Sequence, residues 1–66
     1  MTIKLNGKEH PLSSKTSVKT LLETIGLANK PVVVELNKEA LFPREYEKSI
    51  LGNGDQLEII TIAAGG

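Results

Sequence analysis

Cysteine is absent from this chain, which excludes disulfides, thiolate zinc sites and a cysteine nucleophile together. The one histidine, His10, does not make a histidine-rich metal site by itself, and no metal site is expected. Tryptophan is missing too, and Phe42 and Tyr46 are the only aromatic residues, so the core must be aliphatic. No charge of one sign dominates: 8 basic side chains face 8 acidic ones. Proteins that grip phosphate backbones carry clustered positive charge, so nucleic acid is not an expected partner, and the same holds for an anionic membrane surface. No apolar run approaches the ~20 residues of a membrane helix. Met1-Thr2-Ile3-Lys4-Leu5 alternates from the start and lacks the apolar stretch of a signal peptide, which makes the cytoplasm the expected location. Sixty-six residues give one small domain that buries only ~60% of its unfolded surface. An enclosed catalytic cleft does not fit. A chain of this size takes part in chemistry by supplying one group to a partner's active site, so it is not expected to be an enzyme.

The elements follow from periodicity. Ile3 and Leu5 alternate with polar residues, as on a half-buried strand. Asn6-Gly7 is the strongest short hairpin signal, and Lys8 to Leu12 would return antiparallel, on an edge because of Pro11. Val18, Leu21, Leu22 and Ile25 fall at i, i+3, i+4 and i+7, the apolar face of a helix over 18–25. Ser17 is the expected N-cap, with Gly26 at C′ and Leu27 completing a Schellman ending. The β-branched run Pro31–Asn37 predicts a central strand. Asn37-Lys38-Glu39 is a turn, Ala40–Phe42 a short partner strand ended by Pro43, and Arg44–Lys48 a single helical turn. Ser49–Leu51 is a connector with apolar anchors and Gly52–Asp55 a tight turn. The last strand runs from Gln56 to about Ala63.

One helix covering one face of a mixed four- to five-stranded sheet is an α+β, two-layer class. The first and last strands would lie side by side and parallel at the centre. The helix would meet Ile3, Leu5, Val32, Val34, Leu36, Leu57 and Ile59. Val33, Ile60 and Ile62 then fall on the other face. Such residues are either ordinary sheet surface or a docking surface, and the carboxy terminus favours docking. There Gly65-Gly66 follows Ala64. Glycines without side chains at a chain end make a thin segment able to pass a narrow channel and place a terminal carboxylate inside another protein. The expected organisation is one domain over 1–62 and a flexible tail over 63–66. Arg44, after Pro43, either pairs with Glu45 or Glu47 or contacts a partner. Gly54 and Asp55 read as turn formers, His10 as solvated surface, and no pair of carboxylates has a spacing that demands acid–base work.

The segment Val34-Glu35-Leu36-Asn37-Lys38-Glu39, the Pro43-Arg44 pair, Leu51, Gly54-Asp55-Gln56-Leu57-Glu58-Ile59 and terminal Gly65-Gly66 together resemble the ThiS family of sulfur carriers in thiamin thiazole biosynthesis. The resemblance covers nearly the whole chain and implies a β-grasp, ubiquitin-like fold. It also implies a carrier cycle. The Gly66 carboxylate would be adenylated by a ThiF-type partner using ATP and Mg²⁺, neither bound by the carrier itself. A persulfide sulfur, from a donor such as a cysteine desulfurase, would displace AMP. The resulting Gly66 thiocarboxylate would serve a ThiG-type thiazole synthase. The site implied is Gly66 as the reacting end, Gly65 and Ala64 as the tail, and Val33, Ile60, Ile62 and Arg44 as docking residues. Three other readings stay open: the MoaD-like carrier of molybdopterin synthesis, which usually has prolines before its tail; a ubiquitin-like modifier of lysines; and a binding module with an incidental diglycine.

Overall fold

Two asparagines make the hairpins. Asn6 and Gly7 both have positive φ, 51° and 81°, as the two central residues of a type I′ turn require. They join β1 (Thr2–Leu5) to β2 (Lys8–Pro11), paired antiparallel with Ile3 opposite His10. Asn37 and Lys38, at 51° and 70°, repeat the device between β3 (Val32–Leu36) and β4 (Glu39–Leu41). The structure, a computed structural model, describes residues 1–62.

The helix α1 (Val18–Thr24) sits between the hairpins and is capped at both ends. A helix leaves its first N–H groups without partners in the helix. Here Val18 N–H donates to Ser49 O at 2.9 Å, Lys19 N–H to Tyr46 O at 3.1 Å, and Thr20 N–H to the Ser17 hydroxyl at 3.1 Å. At the other end Gly26 N–H donates to Glu23 O and Leu27 N–H to Leu22 O, the paired bonds of a Schellman motif. Gly26 carries the left-handed φ of 80° that the motif needs.

The sheet has five strands in the order β2-β1-β5-β3-β4, with β5 spanning Gln56–Thr61. β5 pairs in parallel with β1 and antiparallel with β3, so β1 and β5 are interior strands, as expected. β2 is an edge strand, which tolerates Pro11. The core is Ile3, Leu12, Val18, Leu21, Leu22, Val34, Leu51, Leu57 and Ile59, with Leu5, Val32 and Leu36 packed against it and partly buried. Leu12 and Leu51 join this core from outside the regular elements.

The helical turn expected at 44–48 is instead a 3-10 turn over Pro43–Glu45. Pro43 suits the first position of such a turn because its missing N–H is not needed there. The Glu45 carboxylate accepts from Phe42 N–H at 2.6 Å, which starts the turn one residue early. β2 and β5 end at Pro11 and Thr61, and the expected extension of β5 to Ala63 lies outside the described residues.

Candidate functional site

The strand registers place an apolar row on the face that α1 does not cover. Val33 stands opposite Ile60. Val34 stands opposite Leu41, so Phe42, in extended conformation just past β4, continues the row on the far side of Val33. All three side chains are exposed: 39% for Val33, 56% for Ile60 and 59% for Phe42. Ile62, also about half exposed, follows Ile60 on the same side of β5. Its N–H donates to Pro31 O at 3.0 Å. Four large apolar side chains on one face of so small a domain form a patch of the kind that binds another protein.

Charge borders the patch. Glu35 stands opposite Glu58 on the same face, a like-charge cross-strand pair that costs stability rather than adding to it. At the β4 edge the Arg44 guanidinium lies over the Phe42 ring, 4.8 Å from its centroid. This contact presents a planar cation beside the apolar row. Arg44 also lines an open groove of about 490 Å³ between α1 and the 3-10 turn, with Lys19, Lys30, Glu23 and Glu47 around it. Tyr46 lies in that groove, and burial pushes its hydroxyl above the ordinary value of 10.0.

β5 carries the chain toward its carboxy terminus, and it is braced on both sides. Asn37 N–H donates to Gln56 O at 2.7 Å. The Asn37 carboxamide accepts from Gln56 N–H at 2.9 Å and donates to Asp55 Oδ1 at 3.1 Å. Asn6 does the same on the β1 side: its N–H donates to Leu57 O at 2.9 Å. Its Oδ1 accepts from Ile59 N–H at 2.7 Å, and its Nδ2 donates to Ile59 O at 3.2 Å. Asp55 closes the preceding turn by accepting from Gly52 N–H at 2.7 Å. Among the described residues no cluster of His, Asp or Glu is arranged to hold a metal ion, and no helix is long and apolar enough to cross a membrane.

A model of the ThiS family matches residues 3–66. The chain belongs to the ThiS family. It is 40% identical over 62 residues to the sulfur carrier protein ThiS of Thermus thermophilus, which covers 94% of this chain and 95% of that protein. To the sulfur carrier protein ThiS of Bacillus subtilis it is 35% identical over 97% of this chain and 98% of the other. A thiazole synthase of Paramagnetospirillum magneticum matches the whole chain at 33% identity, and the chain spans only 20% of that protein's length. The crystal structure of the thiamine biosynthesis protein ThiS from Geobacter metallireducens superposes with a TM-score of 0.84 at 29% identity, with both chains fully covered. The five-stranded mixed sheet with one covering helix is thus the β-grasp, ubiquitin-like fold of this family.

The structure brings Val33 and Ile60 into direct opposition, continues the patch through Ile62, and sets Arg44 at its edge on Phe42. Ala64, Gly65 and Gly66 lie outside the described residues. Sequence reasoning missed Phe42 as a member of the patch. The signal was available: Leu41 and Phe42 are adjacent in an alternating strand, so once Leu41 faces the helix, Phe42 must face away.

Proposed function

We propose that this chain is a sulfur carrier for thiamin thiazole formation and holds sulfur as a thiocarboxylate on Gly66. The observation that carries this reading is the family match, which runs through to the terminal Gly65-Gly66. A carboxylate is a poor acyl donor. Adenylation by a ThiF-type partner, with ATP and Mg²⁺ held by that partner, converts it to a mixed anhydride with release of pyrophosphate. A persulfide from a donor such as a cysteine desulfurase then attacks the acyl carbon and AMP leaves. Cleavage of the sulfur–sulfur bond by a second thiol leaves the thiocarboxylate on the chain. With no cysteine of its own, the carrier contributes no thiol to that relay and acts as a co-substrate rather than a catalyst.

A ThiG-type thiazole synthase is the proposed acceptor. It is supported by the thiazole synthase relatives that contain a segment similar to this whole chain. The apolar row of Phe42, Val33 and Ile60, with Ile62 behind it, is the proposed docking face for these partners, with Arg44 at its rim and Ala64 and Gly65 as the thin tail behind Gly66. All of this chemistry is placed in the cytoplasm, where ATP is available.

The test is intact mass after incubation with ATP, Mg²⁺, a ThiF-type enzyme and a persulfide donor. A mass gain equal to exchange of one oxygen for sulfur at Gly66 is expected, and removal of Gly66 should abolish it. High-mass adducts on lysines would instead identify a modifier. An unchanged mass with a competent activating enzyme would sink the carrier reading.

A further inference from the structure

We infer that Asn6 is a positioning residue that orders the end of β5, the strand that leads toward Gly66, an inference that rests on the carrier reading above. The argument starts from where pairing stops. On the β3 side, β5 is bonded to its end, with Val32 opposite Thr61 and Ile62 N–H on Pro31 O. On the β1 side, the Cα register covers only Lys4 with Gln56 and Leu5 with Leu57, because the chain turns away at Asn6-Gly7. From Glu58 onward β5 would be held by one neighbour alone. The Asn6 carboxamide takes the place of the missing strand: one oxygen and one nitrogen meet the N–H and C=O of Ile59, as a backbone partner would. The bonded residues are 53 positions apart in sequence, so the first hairpin fixes the last strand at the point where it becomes the approach to Gly66.

Residue chemistry narrows the choice at this position. The φ of 51° is one that glycine, asparagine and aspartate tolerate and most side chains do not. Glycine would make the turn without the brace. Aspartate would accept from Ile59 N–H but has no donor for Ile59 O. Only asparagine supplies the turn, the acceptor and the donor together. Asn37 shares the conformation and likewise accepts from a β5 N–H, but it acts at Gln56 and donates to the Asp55 side chain, at the end of β5 remote from Gly66. It therefore separates a general structural role from a positioning one.

The experiment compares the Asn6→Gly, Asn6→Asp and Asn37→Gly variants with the parent chain. Amide hydrogen exchange is followed by NMR, and adenylation by a ThiF-type enzyme through pyrophosphate release. In Asn6→Gly, exchange at Ile59, Ile60 and Ile62 should accelerate while Leu21 and Val34 stay protected. In Asn6→Asp, Ile59 should keep much of its protection through the retained acceptor. If only the fraction of chains with the end of β5 ordered binds productively, apparent affinity falls by that fraction. KM for the carrier should then rise about threefold to tenfold in Asn6→Gly, with kcat within about twofold, and Asn37→Gly should leave KM unchanged. Unchanged exchange at Ile60 and Ile62 in Asn6→Gly overturns the inference, as does an equal rise in KM for Asn37→Gly. Accelerated exchange in Asn6→Gly with a parent chain that no activating enzyme adenylates would support the brace and sink the carrier reading instead. Should Asn6→Gly fail to fold, Asn6→Asp decides the same question through its lost donor: faster exchange at Ile60 and Ile62 than in the parent supports the inference, and exchange equal to the parent's overturns it.

Discussion

Val33 and Ile60 stand directly opposite each other on β3 and β5, on the face that the helix leaves open, and both remain exposed to solvent. Their neighbours in sequence, Val34 and Ile59, are buried on the other face. The same two strands thus build the core on one side and the candidate docking surface on the other. Replacing both exposed residues by threonine keeps β-branched side chains and hence strand propensity. The double variant should fold with a Tm near that of the parent. Burying an aliphatic side chain is worth ~1.5–3 kcal/mol, so its affinity for a ThiF-type partner, measured by calorimetry, should drop at least about tenfold. Unchanged affinity would remove this face from the interface.

Phe42 extends that row, and its exposure leaves its ring available to a partner. The Arg44 guanidinium lies over this ring. An exposed cation–π contact is worth only about 0.5–1 kcal/mol, so Phe42→Ala should cost little in a urea titration. The same substitution should weaken partner binding markedly, since large aromatic side chains dominate interface energetics. A loss confined to stability, with binding intact, would assign Phe42 to the domain itself.

Glu35 and Glu58 oppose each other beside the apolar row. Two like charges in that position destabilise the sheet. Glu58→Gln should therefore raise stability slightly in thermal unfolding. If the pair faces a basic rim on a partner, the same change should slow association and flatten its salt dependence. An association rate that does not move would leave the pair with no part in recognition.

Much of this fold was legible because its signals are local. Asn6-Gly7, the Ser17 cap and the Gly26-Leu27 ending each act within a few residues, and each does what its type dictates. The misses share a different cause. Ile50 and Leu51 read alike as apolar anchors of a connector, and only Leu51 anchors it, because nothing nearby shows that the Leu51 N–H donates to Thr16 O, a bond that draws that residue into the core. Its neighbour Ile50 looks equivalent in sequence and stays 54% exposed. Asn6 reads as a turn former because the Ile59 backbone it braces is remote in sequence. Asp55 likewise reads as a turn residue, while its carboxylate ties that turn to the β3–β4 hairpin through Asn37. Phe42 needed the strand register before its side could be assigned. The exposed apolar row was legible in part because alternation alone puts Val33, Ile60 and Ile62 on the face away from the helix.

Tyr46 gives a pH dependence with a definite sign. Burial raises its hydroxyl above 10.0, so the folded chain holds this proton more tightly than the unfolded chain does. As pH climbs through about 10, the unfolded state loses its proton first and gains stability relative to the native state. Folding stability from Tyr46 is thus complete below pH 10 and declines above it. Denaturant midpoints between pH 9 and 11 should fall less steeply in Tyr46→Phe than in the parent, and parallel curves would refute the assignment.

Leu51→Ala should be the most damaging of the single changes considered. The residue is 1% exposed and belongs to the same core as Val18, Leu21 and Leu57. Truncating a buried leucine costs about 2–5 kcal/mol through lost transfer energy and the cavity left behind. At 0.05–0.15 kcal/mol per residue, a chain of this length has a total stability of only about 3–10 kcal/mol. The substitution therefore removes a large share of what holds the domain together. For a domain this small each kcal/mol shifts Tm by about 4–8 °C, so calorimetry should show a fall of at least about 10 °C or no cooperative transition. Ile50→Ala, one position earlier and exposed, should shift it by only a few degrees. If the two variants melt alike, the segment does not anchor the core through Leu51.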